Sequence, residues 1–351
     1  MRVLLTGHQG YLGTVMAPAL AAAGHEVVGL DSGLFADCVL GPAPADPPGM
    51  AVDLRDVTVT QLTGFDAVIH LAALSNDPLG SLAPEITFDI NLHASVRLAG
   101  LARTAGVRRF LYASTCSVYG AAGGDECLAE DAPLRPVTPY AESKVRVEDE
   151  LFALADADFC PVSLRNATAF GFSPRLRADI VLNNLVGHAV LTGQVRVLSD
   201  GTPWRPLVHA SDIAAAFVAT LAAPREAVHA RAFNVGGEAN NVTVKEIADA
   251  VAATVPGSVV AITGETGPDP RSYRVDFSAV RAALPGFQAR RTIEDGAREL
   301  YDAYLLHGLT REAFERRFTR LAWLSDRQAA GELTSAMRLI SAPGDGQTSQ
   351  R

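Results

Sequence analysis

Tyr140 and Lys144, four residues apart, are the pair whose types and spacing best suit proton chemistry. In a helix this spacing places both side chains on one face. A lysine ammonium beside a phenol favours the phenolate and lowers the phenol's pKa from its usual value of about 10. The pair can therefore exchange a proton with a substrate hydroxyl while a hydride moves, and the lysine can also bond a nicotinamide ribose. The alternative is an exposed pair on a solvated helix.

A glycine-rich segment, residues 6–13, follows the first predicted strand and opens the first predicted helix. Glycines let the backbone approach a pyrophosphate closely, and the helix N-terminus presents unpaired N–H groups to that anion. This context predicts a dinucleotide site rather than a simple turn. The loop residues expected to contact the cofactor are Gly7, Gln9, Gly10, Tyr11, Leu12 and Gly13.

Asp31 ends the second predicted strand, about twenty residues beyond the glycines, where a carboxylate accepts hydrogen bonds from the adenosine ribose. Its charge repels a 2′-phosphate and therefore favours NAD over NADP. A plain turn aspartate is the alternative interpretation. Asp53 and Leu54 follow another short apolar run and are weaker candidates for contacts with the adenine edge.

Hydroxyl side chains follow a further predicted strand, in the run Ser114-Thr115-Cys116-Ser117. Ligands bind at the carboxyl edge of a doubly wound sheet, so these residues are well placed for a substrate. We expect Thr115 to bond the oxygen whose proton Tyr140 handles. Alternatively, the hydroxyls only complete a strand-end turn.

The elements that must position these residues alternate short apolar runs with helical patterns. Strands are predicted at 2–6, 26–30, 67–71, 109–113 and 161–165, and crossover helices at 11–23, 84–105 and 139–155. This order predicts an α/β protein with a Rossmann-type doubly wound parallel sheet and a smaller C-terminal substrate-binding lobe.

Two domains and a tail are predicted from this pattern. Residues 1–165 form the NAD-binding Rossmann domain, and residues 166–340 form mainly the substrate-binding lobe and C-terminal helices, with some segments returning to the first domain. The second part carries helical patterns near 179–192, 211–223, 243–255 and 310–340. Residues 341–351 have no large apolar side chain and are predicted to be disordered.

Composition excludes several classes of protein. The 351 residues include 30 Lys plus Arg against 39 Asp plus Glu, and this net charge of −9 argues against a nucleic-acid partner. No run reaches the roughly 18 apolar residues of a membrane span. The start has no secretory signal pattern, so a cytoplasmic location is expected. The four cysteines lack metal-ligand spacing, so neither a metal site nor disulfides are expected.

Taken together, these motifs resemble the extended short-chain dehydrogenase/reductase family, in its nucleotide-sugar epimerase/dehydratase branch. The resemblance spans about residues 1–290 and rests on the glycine loop, Asp31, the 70–73 segment, Ser114-Thr115 and the Tyr140/Lys144 pair. It implies catalysis by Thr115, Tyr140 and Lys144, tightly held NAD, and an NDP-sugar in the cleft between the lobes. Further cofactor contacts implied by it are Leu71, Ala72 and Ala73.

The second lobe extends the resemblance and supplies candidate substrate contacts. Arg205 and Arg271 could clamp a diphosphate bidentately, although each could also be a surface ion pair. Asn166 and Asn183 could bond the diphosphate or a sugar hydroxyl, or could only cap loops. The resemblance also implies a homodimer through helices 84–105 and 139–155. The substrate contacts expected in full are Ser75, Asn76, Thr115, Cys116, Ser117, Asn166, Asn183, Arg205 and Arg271.

One departure from the branch bears on the reaction. Sugar 4,6-dehydratases of this branch carry Asp-Glu directly after the catalytic threonine, whereas this chain has Cys116-Ser117. These two carboxylates serve as acid and base in the elimination of water, so their absence here argues against a 4,6-dehydratase. The leading hypothesis is an NAD-dependent NDP-sugar epimerase that passes a hydride to NAD and back. Alternatives are a ketoreductase or dehydrogenase with net redox, then a dehydratase, and in another class a non-catalytic NAD-binding regulator.

Overall fold

A computed structural model of the chain describes residues 1–75, 80, 83–120, 127–265 and 271–340. Fourteen strands lie within these residues. They are β1 (Arg2–Thr6), β2 (Glu26–Asp31), β3 (Gly49–Ala51), β4 (Ala67–His70), β5 (Arg109–Thr115), β6 (Cys127–Leu128), β7 (Cys160–Asn166), β8 (Thr168–Phe170), β9 (Gln194–Val197), β10 (Trp204–His209), β11 (Arg231–Val235), β12 (Asn241–Thr243), β13 (Val259–Ile262) and β14 (Arg274–Val275).

Seven of these strands form one parallel sheet in the order β11-β7-β5-β4-β1-β2-β3. The chain builds outward from β1 in one direction through β2 and β3 and in the other through β4, β5, β7 and β11. This reversal is the mark of a doubly wound sheet, so the predicted Rossmann-type fold is confirmed. Both faces of the sheet are covered, and β7 is buried throughout its length.

Helices on the two faces of the sheet make the crossovers. The α-helices of the described residues are α1 (Tyr11–Ala22), α2 (Pro84–Phe88), α3 (Ala94–Thr104), α4 (Pro139–Ala153), α5 (Val181–Thr192), α6 (Ala210–Ala222), α7 (Arg225–Val228), α8 (Val244–Thr254), α9 (Ser278–Ala283), α10 (Ile293–Leu306) and α11 (Arg320–Ala329). A π-helical turn, Asp89–His93, joins α2 to α3. No described helix has the length and apolar composition needed to cross a bilayer.

Shorter sheets and a second apolar core lie beyond the main sheet. Strand β10 pairs with β8 and β12, β9 pairs with β13, and β6 pairs with β14. Helices α5, α8 and α10 enclose this second core with Leu182, Ile247 and Leu300. The chain returns to the main sheet at β11. The domain division at residue 165 stays a prediction, and the predicted tail lies outside the described residues.

The C-terminal segment differs from the single helical pattern predicted over 310–340. A π-helical turn, Ala313–Arg317, is followed by α11 and then by turns that start near Gly331, whose φ is +74°. The break lets Phe314 and Phe318 enter the second core while Leu324 joins another apolar cluster. A helical periodicity in sequence cannot show such a change of packing partner.

A buried ion pair fastens α4 to the main sheet. Glu148 of α4 lies 2.7 Å from the Arg165 guanidinium on β7, and their side chains are 2% and 6% exposed. Glu148 also accepts a hydrogen bond of 2.5 Å from the Ser114 hydroxyl on β5. Removing one partner of a buried pair leaves the other charge without compensation, which is far more costly than removing an exposed pair.

We therefore predict that Glu148→Ala lowers the free energy of unfolding by about 3–5 kcal/mol. Glu142→Ala breaks an exposed pair with Arg146 on the same helix, and it should change this free energy by less than about 1 kcal/mol. The double variant Glu148→Met/Arg165→Met should lose less than Glu148→Ala alone. Urea denaturation measures all three, and equal losses for Glu148→Ala and Glu142→Ala would contradict the assignment.

Candidate active site

A large cavity opens at the carboxyl ends of β1, β2, β4 and β5, where the strand order reverses. Its volume is about 950 Å³, which is at the upper end of the roughly 300–1,000 Å³ typical of small-molecule sites. Most residues predicted from sequence meet here. Those that line the cavity are Gly7, Gly10, Tyr11, Leu12, Gly13, Asp31, Asp53, Leu54, Leu71, Ala72, Ala73, Ser75, Thr115, Ser117, Tyr140, Lys144, Asn166, Arg205 and Arg271.

The glycine loop forms one wall of this cavity at the N-terminus of α1. Gly7 has φ +76°, a conformation that favours glycine, and a Cβ there would lie 2.8 Å from the Ala72 backbone nitrogen. A Cβ on Gly13 would lie 2.1 Å from the Gly7 carbonyl oxygen. The loop therefore tolerates no side chain at either position, and the amides at the start of α1 stay accessible to an anion.

Gln9 is the loop residue that the structure does not bring to the cavity wall. Its backbone N–H donates to Asp31 Oδ2 at 2.9 Å, and its side-chain amide donates to Asp46 at 3.0 Å. Gln9 therefore ties the loop to β2, and its contact with the cofactor stays a prediction.

The two carboxylates predicted to contact the adenosine, Asp31 and Asp53, both line the cavity. They lie near each other, because the N–H of Val52, the neighbour of Asp53, donates to the Asp31 carbonyl at 2.9 Å. Asp31 accepts hydrogen bonds of 2.9 Å from the backbone N–H groups of Gln9 and Gly33, which fix its orientation. Asp53 pairs with Arg55 at 2.6 Å. Burial alone would raise the pKa of the Asp53 carboxyl, but hydrogen bonds from Arg55 outweigh it and hold that pKa below its usual value.

Tyr140 and Lys144 project from the start of α4, which begins at Pro139 after a hydrogen bond from the Ala141 N–H to the Thr138 hydroxyl. The Lys144 amine donates to the Ala113 carbonyl at 2.7 Å and lies 5.6 Å from the centre of the Tyr140 ring. Both residues line the cavity beside Thr115. The structure thus brings the predicted catalytic residues to one wall.

Burial controls the charge of Lys144, which is 3% exposed. Removal from water lowers the pKa of its amine from 10.5 to about 7, and the Glu148 carboxylate one turn along α4 opposes this shift. The amine therefore loses its proton near neutral pH when nothing else is bound. A negative charge beside it, such as a phenolate, would favour the ammonium.

Several residues predicted to contact the substrate also line the cavity near Thr115. The Arg271 guanidinium donates to the Ser117 hydroxyl at 3.1 Å, and the Arg205 guanidinium donates to the Arg271 backbone carbonyl. Asn166 donates its amide to two backbone carbonyls. Its buried Oδ1 accepts no hydrogen bond within the described parts of the chain, although the residue itself lines the cavity.

Two predicted substrate contacts do not reach the cavity. Cys116 is buried under the turn after β5, where its thiol donates to the Arg165 carbonyl at 3.1 Å and burial raises the thiol pKa. Asn183 is also buried. Its Oδ1 accepts a hydrogen bond from the Gly171 N–H, and its Nδ2 donates one to the Gly171 carbonyl. Its neighbour Asn184 lines the cavity instead. Asn76 lies outside the described residues.

Three charged cavity residues were missed by the sequence reasoning. Arg177 donates to the Ser75 hydroxyl at 3.0 Å and pairs with Asp179 at 3.0 Å. Arg320 reaches the cavity from α11. A signal for Arg320 was present, because it lies close to Phe318, Leu321 and Leu324 in an otherwise apolar helical stripe.

The chain is similar in sequence to a family of known enzymes. The family model described as "NAD dependent epimerase/dehydratase family" matches residues 3–236. A UDP-glucose 4-epimerase of Mycolicibacterium smegmatis is 31% identical over 309 residues, which cover 84% of this chain and 96% of that protein.

Two solved structures illustrate the structural similarity. TunA, an NAD-dependent NDP-hexosamine 5,6-dehydratase of tunicamycin biosynthesis, has a TM-score of 0.77 and 25% identity, covering 87% of this chain and 98% of its own. A UDP-glucose-4-epimerase from Stenotrophomonas maltophila, with bound NAD and formylated UDP-arabinopyranose, has a TM-score of 0.76 and 27% identity, covering 88% and 99%.

The lowered pKa of Lys144 predicts a specific dependence of stability on pH. Between about pH 7 and pH 10 the unfolded chain holds a proton that the folded protein has lost, so the free energy of unfolding should rise with pH by up to about 1.4 kcal/mol per unit. Lys144→Met removes this contribution. Urea denaturation of the cofactor-free proteins should show wild type gaining stability relative to this variant as pH rises.

Lys245 supplies the matched control. It is the other lysine of the chain, and it forms an exposed pair with Asp249. Lys245→Met should differ from wild type by an amount that stays nearly constant over this pH range. If Lys144→Met gives the same flat difference, Lys144 titrates normally and the description of its environment is wrong.

Proposed function

Because the chain belongs to the NAD-dependent epimerase/dehydratase family, we propose that it is an NDP-sugar epimerase that inverts a hydroxyl-bearing carbon by reversible hydride transfer to NAD. The observation that carries this proposal is the Lys144 amine, held 5.6 Å from the Tyr140 ring in the cavity that the glycine loop also lines. The enzyme is NAD-dependent. The similar epimerases support a nucleotide sugar as substrate, in particular a UDP-sugar.

The residues present fit the cofactor. The glycine loop leaves room for a diphosphate against the amides of α1, and Asp31 is oriented for the adenosine ribose. When bound, NAD supplies a reversible hydride acceptor. Lys144 would hold the nicotinamide ribose, because its ammonium has three donors and the Ala113 carbonyl takes one of them.

Tyr140 is the proposed general base and acid. Its phenolate would take the proton from a sugar hydroxyl as the carbinol is oxidised, and it would return that proton after the sugar has turned its other face. Lys144 stabilises the phenolate by charge. Thr115 would orient the same sugar oxygen through its hydroxyl. Proton and hydride both return to the sugar, so the net redox change is zero.

Arg205 and Arg271 are the proposed contacts for the diphosphate of the substrate. Both line the cavity; Arg271 contacts Ser117, which follows Thr115 in sequence, and Arg205 contacts Arg271. Guanidinium groups bind diphosphate oxygens bidentately, and they supply local positive charge in a protein of net charge −9. Ser75 and Asn166 would contact the sugar or its diphosphate by hydrogen bonds.

A dehydratase is the second candidate, favoured by the dehydratase among the similar structures. Elimination of water needs a base that removes a proton from carbon. The carboxylates among the described cavity residues are Asp31, Asp53 and Asp179. The first two lie on the adenosine side, and Asp179 is paired with Arg177. This distribution supports epimerisation over elimination.

Tyr140→Phe should lower turnover of UDP-glucose by about 10²- to 10⁴-fold, because general acid–base catalysis contributes that much. Binding of NAD should persist, since the ring and Lys144 remain. Tyr301→Phe is the control, because Tyr301 lies on α10 and is not among the described residues that line the cavity; this variant should keep wild-type turnover. Proton NMR of the sugar nucleotide identifies the product.

The same assay separates the candidate reactions. An epimer formed without change in the absorbance of reduced nicotinamide supports the proposal. Loss of water indicates a dehydratase, and stoichiometric consumption of oxidised or reduced cofactor indicates a dehydrogenase or ketoreductase. Full turnover by Tyr140→Phe would contradict the proposed mechanism.

We also propose a homodimer formed through α2, α3 and α4. Half-buried apolar side chains, including Phe88 and Leu101, lie on these helices and support an interface there. Light scattering across a range of protein concentrations should give twice the mass of the chain. A monomer mass at every concentration would be the contradicting result.

A further inference from the structure

Helix α11 brings a buried positive charge into the cavity from outside the family match at residues 3–236. Arg320 at its start is 4% exposed and lines the cavity. Its guanidinium carbon lies 4.1 Å from the centre of the Phe35 ring. Its Nη1 is buried and has no hydrogen-bond partner among the residues that the structure describes.

The surroundings of Arg320 contain more positive than negative charge. Its neighbours are the Arg177 guanidinium, the Asp179 carboxylate and the Cys38 thiol, which also takes part in a side-chain hydrogen bond with Arg320. Asp179 already accepts two hydrogen bonds from Arg177, at 3.0 and 3.1 Å. Burial, with a contribution from Arg177, lowers the pKa of Arg320 to about 10, so it stays cationic at neutral pH. Asp179, Cys38 and the Phe35 ring compensate this buried cation only in part, because Nη1 has no partner among the described residues, and an anionic ligand would complete the compensation.

The position of α11 indicates which anionic ligand could reach Arg320. Trp323 and Arg327 of α11 donate to the Leu34 carbonyl, which follows β2 and Asp31. The next residues of that loop approach α1, because Arg175 donates both to the Ala36 carbonyl and to the Thr14 hydroxyl. Arg320 is therefore on the glycine-loop side of the cavity.

Two other arginines line the part of the cavity near the end of β5. Arg271 contacts Ser117 after β5, and Arg205 contacts Arg271. These two residues are the proposed contacts for the substrate diphosphate. Arg320 is thus separate from them and closer to the site of the dinucleotide.

We propose that Arg320 binds the diphosphate of the dinucleotide, as a cationic contact on a C-terminal helix that complements the amides at the start of α1. A guanidinium can donate two parallel hydrogen bonds to phosphate oxygens, and stacking on Phe35 orients it. The C-terminal segment would then belong to the cofactor site. This inference depends on NAD binding and is independent of the proposed epimerisation.

Calorimetric titration of cofactor-free Arg320→Gln with ADP-ribose, adenosine and UDP tests the proposal. ADP-ribose affinity should fall by about 10- to 150-fold, the loss expected for a hydrogen bond to a charged group. Adenosine and UDP affinities should stay within about twofold of wild type. Arg320→Lys should fall between wild type and Arg320→Gln.

Arg316→Gln is the matched control. Arg316 precedes α11 in the same segment and forms an exposed pair with Asp326, so its removal changes the net charge equally without touching the cavity. ADP-ribose affinity should be unchanged in this variant. An equal loss of ADP-ribose affinity in Arg316→Gln and Arg320→Gln would show that only the net charge of the protein matters, and it would overturn the proposal.

Thermal unfolding distinguishes binding from a structural role. Without ligand, Arg320→Gln should melt at or above the wild-type temperature, because a buried charge that is compensated only in part has been removed. With ADP-ribose its melting temperature should rise less than that of wild type. Unchanged ADP-ribose affinity in both Arg320 variants would overturn the proposal, and so would a loss of UDP affinity in place of ADP-ribose affinity. None of these measurements involves turnover, so a failed epimerase assay leaves their outcome intact.

Discussion

The proposed chemistry depends on a lysine ammonium that burial has removed from water almost completely. Lys144 has the Ala113 carbonyl as a hydrogen-bond acceptor and the rings of Tyr112 and Tyr140 beside it. Burial opposes its charge and Glu148 favours it. This balance leaves the amine close to losing its proton, so the charge is most stable when an anion forms nearby. A phenolate at Tyr140 is such an anion, which makes the proton states of the two residues interdependent.

The frame around this pair is rigid because it is built from the sheet itself. Strands β5 and β7 are neighbours, and their last paired residues are Thr115 and Asn166. Glu148 joins α4 to both strands through Ser114 and Arg165. The hydroxyl of Thr115, the amide of Asn166 and the first turn of α4 are therefore held by one buried network. A site that must place a sugar oxygen within hydrogen-bond reach of two groups benefits from such a support.

Sequence patterns predicted the central strands and the glycine loop because continuous apolar runs and closely spaced glycines are visible in the local sequence. Short edge strands such as β3, with three residues, carry too weak a pattern. Within the site, two predicted substrate contacts are buried, while the next residue in sequence lines the cavity. Cys116 points into the protein while Ser117 lines the cavity, and Asn183 is buried while Asn184 lines it. Side-chain direction changes by about 100° per helical residue, so only the tertiary placement of each turn settles such choices. Arg320 lies among apolar residues of the C-terminal helical pattern, but the sequence does not show which part of the cavity that helix reaches.

Titration of the Tyr140 phenol tests the central claim most directly. The ultraviolet difference between wild type and Tyr140→Phe isolates this one ring, and the same difference in the Lys144→Met background removes its neighbour. With Lys144 present, the phenolate band should appear at lower pH than in the Lys144→Met background, because the phenolate and the ammonium stabilise each other. Identical titration curves in the two backgrounds would show that the amine does not acidify the phenol, and would contradict the account.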